Sequence, residues 1–172
     1  MDPFNIFYQR KSVRKFTEEN VSRETLTQLI RAAMAAPTAG NKQPWAFVAV
    51  DAPEVLARLG AVLPYAGFVK GAPAAIVVCG DLSKAFDGVE EPFWVQDCSA
   101  ATQNILLACE MKGLGAVWTG VYPLQERMDA VSDILNLPDH IVPLNVIPLG
   151  TPSGTPKPKE KWAPENLHWQ AW

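Results

Sequence analysis

Charge is scarce in this chain of 172 residues: 19% of them are Asp, Glu, Lys or Arg, and the formal net charge is −3. Proteins that bind nucleic acid through its phosphates carry an excess of Lys and Arg, so that class is disfavoured. Histidine is scarcer still. His140 and His168 are the only two, and neither lies in a metal-ligand or nucleophile motif. No GxSxG, HExxH or Walker A pattern occurs, which leaves hydrolytic chemistry without support, and both histidines read as surface or packing residues. The three cysteines, at 79, 98 and 109, form no CxxC pair, and their odd number argues against a disulfide framework. Cys98 and Cys109 fall on almost the same face of a helix and read as core. No apolar run reaches the roughly 18 residues of a membrane span. The first residues lack the charged and apolar regions of a signal peptide. The cytoplasm is the expected address, with neither membrane nor nucleic acid as partner.

What the chain does have is apolar content, 48% of its residues, enough for a core around which one domain can fold. Asp2 and Pro3 suit the start of a short helix ending near Arg10, with Phe4, Phe7 and Tyr8 on one face. Ser22 can cap a second helix through Leu26, Leu29, Ile30, Ala33 and Met34, which Pro37 stops. Trp45–Val50 reads as a strand, followed by a helix that Asp51 can cap. Residues 74–79, apolar on both faces, read as a central strand. A long helix is expected over 92–112, apolar nearly all round and therefore buried on every side, for which a second subunit is a natural partner. Gly113 or Gly115 is a candidate left-handed cap. Residues 116–121 read as a third strand, and Pro123 opens a helix through Leu124, Met128, Val131 and Leu135. A fourth strand, 141–149, contains Pro143 and Pro148 and is expected at an edge or bent. After Gly150 the chain becomes rich in proline and lysine and ends in Trp169 and Trp172. Residues 1–150 thus form a core and 151–172 an extension of the same domain. Its tryptophans need an apolar surface, for which a partner subunit is favoured over the chain's own.

Two segments carry candidate binding chemistry. Arg10, Ser12 and Arg14 alternate, so in an extended chain all three point the same way. Two guanidinium groups and a hydroxyl on one side suit a phosphate and a polar ring edge. The loop Pro37-Thr38-Ala39-Gly40-Asn41-Lys42-Gln43-Pro44 is stiffened by its prolines, and its amides offer donors and acceptors together. A solvated basic turn and an ordinary helix-to-strand connection are the alternatives.

The order of the motifs is more specific than any one of them. Arg10-x-Ser12-x-Arg14-x-Phe16 is followed by Ala36-Pro37-Thr38-Ala39-Gly40-Asn41-x-Gln43-Pro44-Trp45, then Gly113-Leu114-Gly115-x-x-Trp118. Leu149-Gly150 and a Lys-rich tail ending His168-Trp169 complete the series. Over essentially its whole length the chain resembles the nitroreductase family of FMN-dependent oxidoreductases, in its short form. The resemblance implies an α+β fold with a central, mostly antiparallel or mixed sheet of four or five strands flanked by helices. It also implies an interlocked homodimer that exchanges C-terminal arms. Arg10, Lys11 and Ser12 would meet the FMN phosphate and ribityl chain, and Arg14 the pyrimidine edge. Lys159 and Lys161 would complete the phosphate site, with Lys161 standing where the family often has arginine. Pro37, Thr38, Ala39, Asn41 and Gln43 would come from the other subunit, while Trp118, Thr119 and Gly120 would run near flavin N5. The activity implied is ping-pong hydride transfer from NADH or NADPH to nitroaromatics, quinones or similar flat acceptors. Arg14 would favour the negative charge of the reduced flavin. Alternatives within the same binding chemistry are FMN storage without significant turnover and specialised flavin chemistry such as dehalogenation or flavin fragmentation.

Overall fold

A stretch such as Ala74 to Gly80, apolar throughout, has no face to offer water. In the computed structural model, which describes residues 2–172, strand β2 (Ala74–Asp81) is buried along its entire length. It pairs antiparallel with β1 (Trp45–Val50) on one side and with β5 (Ile141–Gly150) on the other. The far side of β5 receives two short strands, β3 (Gly115–Ala116) and β4 (Thr119–Gly120). The result is an open, antiparallel sheet of five strands.

Alternation along the strands sorts side chains to two helical layers. Ile76, Val78, Ile147 and Leu149 pack beneath α2 (Arg23–Ala33) and α4 (Phe93–Met111), against Leu26, Leu29, Cys98 and Ile105. Val77, Cys79 and Val146 face α3 (Pro53–Val62) and α5 (Gln125–Leu135), against Leu56, Leu59 and Val131. Ser22 caps α2 as expected, its side chain accepting from the Thr25 N–H. Gly113, at φ +72°, follows α4 in the left-handed conformation expected of it or Gly115. All three cysteines are buried and unpaired.

Three expectations need correction and a fourth is narrowed. Strand β5 is interior rather than an edge. Of the two alternatives expected, the bend holds: Pro143 sits at a one-residue register shift, with Val78 opposite Asn145 but Cys79 opposite Pro143, so that Leu144 is the extra residue of a bulge, while Pro148 stays in register opposite Ala75. The expected strand over 116–121 is instead two two-residue strands in one register, and the gap between them, Val117 and Trp118, lies opposite Pro148 and Ile147, where proline has no N–H to donate. Asp51 does not cap α3, whose N-cap is Ala52. Its carboxylate is taken by Arg23, with Nε at 2.7 Å, and this hydrogen bond holds the carboxyl below its usual range. Helix α1 (Asn5–Gln9) starts after Asp2 and Pro3, with Asp2 turned back to accept the Phe4 N–H.

Candidate functional site

Downstream of α1 the chain extends, because Ser12 and Val13 are stitched to Ala116: residue 12 bridges it, and the Val13 N–H donates to its carbonyl at 3.0 Å. Val13 is buried and its neighbours Ser12 and Arg14 are exposed. The alternation read from the sequence is thus present at Ser12 and Arg14, on either side of Val13. The Arg14 guanidinium lies 5.8 Å from the ring centre of Phe68, a cation–π distance.

The C-terminal extension starts against the same segment. Thr17 N donates to Thr151 O and Ser153 N to Lys15 O, both at 2.9 Å, and Phe16 bridges Pro152 antiparallel. Running back in that direction brings the tail to α1. Arg10, Lys159 and Lys161 line one cavity of about 700 Å³, together with Tyr8 and Trp162. Glu160 lines it too. Its carboxylate accepts the backbone N–H groups of Trp162 and Lys161, and these hold it below the usual carboxylate range. Lys11 is not part of this cavity. Its ammonium donates to Glu110 Oε1 at 2.6 Å and ties α1 to the end of α4.

The 37–43 loop is anchored elsewhere. The Ala39 N–H donates to Asp97 Oδ1 at 2.9 Å, and Asp97 is a buried residue of α4. Gly40, Asn41 and Gln43 all have positive φ, at +54°, +54° and +51°. For Asn this is tolerated; for Gln it is a strained conformation that the surroundings must enforce. Thr38 Oγ1 accepts the Gln43 N–H, and Gln43 Nε2 donates to Asn41 Oδ1. Asn41 and Gln43 are exposed.

Trp118 is 39% exposed at the break between β3 and β4, and Thr119 and Gly120 follow it as β4. Thr119 Oγ1 is buried with no hydrogen-bond partner, an arrangement proteins rarely leave without purpose. The structure thus brings Arg10 together with Lys159 and Lys161, and Ser12 beside the strand that leads to Trp118. It keeps the 37–43 loop apart from Arg10. Asp97 and Glu110, their respective anchors on α4, are thirteen residues apart, or about 20 Å of helix. Sequence reasoning passed over Asp97, Glu110 and Phe68. A carboxylate amid the apolar residues of a buried helix was the signal available for Asp97.

Comparison with known proteins supplies the family. Residues 7–63 and 60–151 match the model of the nitroreductase family. A protein of Methanothermobacter thermautotrophicus with the provisional name NADH dehydrogenase/NAD(P)H nitroreductase is 42% identical, over all of this chain and 88% of its own. The crystal structure of a Parabacteroides distasonis protein with the same provisional name superposes with a TM-score of 0.93 at 45% identity, covering 98% of both chains. An FMN-dependent nitroreductase from Clostridium difficile superposes with a TM-score of 0.88 at 25% identity, covering 97% of this chain and 98% of its own. The chain belongs to the nitroreductase family.

Proposed function

We propose that this protein is an FMN-dependent NAD(P)H oxidoreductase that reduces nitroaromatics, quinones or similar flat acceptors, and that it works as a homodimer. The observation that carries the reading is the cavity in which Arg10 meets Lys159 and Lys161, some 150 residues away in sequence. Three cations around one cavity suit a phosphate dianion. Exposed Ser12, Asn41 and Gln43 offer hydroxyl and amide groups. The residues present therefore fit FMN, and the names borne by the relatives point the same way.

When bound, FMN supplies hydride acceptance and donation at its N5, so the chain needs no nucleophile of its own. Arg14 contributes fixed positive charge that favours negative charge on the pyrimidine edge. Lys11, paired with Glu110, fixes the segment carrying Arg10, Ser12 and Arg14 to α4. Pro37, Thr38, Ala39, Asn41 and Gln43 serve the same cofactor from the partner, as does the flank of Trp118, Thr119 and Gly120 from within the chain. The spacing on α4 supports the homodimer, because one chain holds its loop about 20 Å from its Arg10 end. A two-fold axis that sets the two α4 helices antiparallel carries one copy's loop to the other copy's Arg10 end. Ala100, Leu107, Ala108 and Met111, only partly covered or exposed in one chain, supply apolar surface for that contact.

The test is a visible spectrum of the purified protein, mass identification of the released cofactor, and light scattering. A yellow dimer with equimolar FMN that oxidises NADH or NADPH faster than free FMN does, when given a quinone, is expected. A colourless protein that also refuses added FMN overturns the reading.

A further inference from the structure

We propose that Phe86, in the connection between β2 and α4, is a positioning residue that clamps the 37–43 loop in the conformation presenting Asn41 and Gln43. What the loop presents them to rests on the FMN reading above; the clamp itself does not.

Three contacts converge on this ring. A Cβ added at Gly40 would stand 2.7 Å from Phe86 Cζ and 3.3 Å from Cε2, so the ring occupies the space that any side chain there would need. The Lys42 ammonium lies 4.8 Å from the ring centre, within cation–π range. On its other side Phe86 meets Phe93 edge-on, with centroids 6.5 Å apart and planes at 72°, the geometry aromatic pairs prefer. Phe93 is the first residue of α4. One turn further on, Asp97 accepts the Ala39 N–H. The loop is thus gripped at Ala39 by a carboxylate and at Gly40 and Lys42 by a ring, both referred to the same helix.

The loop's internal bonds, from Asn41 N–H to Thr38 O, Lys42 N–H to Ala39 O and Gln43 N–H to Thr38 Oγ1, lie in an exposed turn, which a clamp reinforces. Asn41 and Gln43 keep left-handed backbones while their side chains are exposed, so their own packing does not enforce the strain. Solvated bonds such as that between Gln43 Nε2 and Asn41 Oδ1 contribute little. The aromatic face and the Asp97 carboxylate remain as the groups that over-determine the conformation. Residue 40 is glycine on two independent grounds, its φ of +54° and the Phe86 ring against it.

The experiment is amide hydrogen exchange on the flavin-free protein, paired with titration of FMN by its fluorescence, for wild type, Phe86→Ala and Phe86→Tyr. In Phe86→Ala the amides of Ala39, Asn41, Lys42 and Gln43 are expected to exchange about tenfold faster while those of β2 are unchanged. The FMN dissociation constant is expected to rise about tenfold, the size of effect that loss of one aromatic contact produces. Phe86→Tyr keeps the ring face but puts its hydroxyl on Cζ, the atom against Gly40, and is expected to change both quantities less than Phe86→Ala does. Wild-type exchange in the loop of Phe86→Ala overturns the clamp, whatever happens to FMN. Failure of the wild-type protein to bind FMN overturns the functional reading and leaves the exchange data to decide the clamp. Should Phe86→Ala unfold, Phe86→Leu, which keeps bulk but loses the ring face, decides by the same two measurements.

Discussion

Replacing Gly115 by alanine asks whether the segment carrying Ser12 and Arg14 is held by steric contact with β3. A Cβ at this position would stand 2.6 Å from Val13 Cβ and 2.7 Å from each Val13 methyl. Non-bonded carbons settle at about 3.5–4.0 Å, so the two backbones must part by about 1 Å. No rotamer of Val13 offers escape, because the nearest atom is the Cβ fixed to its own backbone. Nor is there free space around it: Val13 is 2% exposed, and its N–H is bonded to Ala116. Overpacking of this kind costs about 1–3 kcal/mol. In a chain of this length that corresponds to a fall in Tm of about 2–12 °C.

Ser12 and Arg14 flank Val13 and move with it, so FMN affinity is expected to fall about tenfold or more, given how steeply binding geometry decays over 1 Å. Denaturant unfolding of the flavin-free protein at a fixed protomer concentration measures the first quantity, and FMN fluorescence titration the second. The second site adds a stricter check. Val13→Ala removes the two methyl contacts but leaves the Cβ and is expected to give partial relief, whereas Val13→Gly removes all three and is expected to recover FMN affinity. A Gly115→Ala protein with unchanged unfolding midpoint and unchanged FMN affinity would refute the placement of residues 12–14 against β3.

Arg14→Ala is expected to weaken FMN binding about tenfold, the loss of one charge-assisted contact, and to slow flavin reduction by NAD(P)H in stopped-flow measurements. Unchanged values for both would remove Arg14 from the site. Truncation after Gly150 removes Lys159 and Lys161 together with the exposed Trp162, Trp169 and Trp172, and is expected to yield a colourless monomer by absorbance and light scattering. A yellow, dimeric truncated protein would contradict the role given to the tail. Burial pushes the thiols of Cys79, Cys98 and Cys109 up to about 12, against about 8.5 in an unfolded chain. The native state then keeps protons that the unfolded state loses, so this contribution is complete below about pH 8 and is lost as the pH climbs toward 12. Unfolding midpoints that fall between about pH 9 and pH 11, together with alkylation at pH 8 only after denaturation, are the expected observations.

Elements whose partners are local were legible in the sequence. Ser22 and the spacing of Leu26, Leu29 and Ala33 define α2 without reference to anything outside it, and the apolar run of β2 requires a central place wherever its neighbours come from. What failed depended on distant residues. Two prolines in β5 remove ladder donors, which argues for an edge when the strand is considered alone. The bulge at Leu144 beside Pro143, and the gap between β3 and β4 opposite Pro148, reconcile them with an interior position. Asp51 is a plausible cap until Arg23, twenty-eight residues earlier, is seen to hold its carboxylate. The same division runs through the site. The alternation of Arg10, Ser12 and Arg14 is a property of consecutive residues and could be read directly. Glu110 opposite Lys11, Asp97 beneath Ala39 and Phe86 against Gly40 are contacts across 46 to 99 residues, and nothing in the local pattern names them.

Those long-range contacts have one element in common, since each refers a candidate binding segment to α4. Lys11 fastens the arginine segment to one end of the helix, and Asp97 with Phe93 fastens the loop toward the other. A rigid helix therefore fixes the distance between the two halves within a chain, and about 20 Å is too far for one small phosphate-bearing ligand to be gripped tightly by both. On the reading proposed here, antiparallel packing of two such helices turns that separation into proximity, and does so twice, because a two-fold contact repeats every juxtaposition. Binding at either site then stabilises the assembly: at a ligand concentration a hundred times Kd the gain is about 2.7 kcal/mol per site. On that reading the apolar circumference of α4, which a single chain leaves partly uncovered, would serve dimerisation and cofactor retention as one equilibrium.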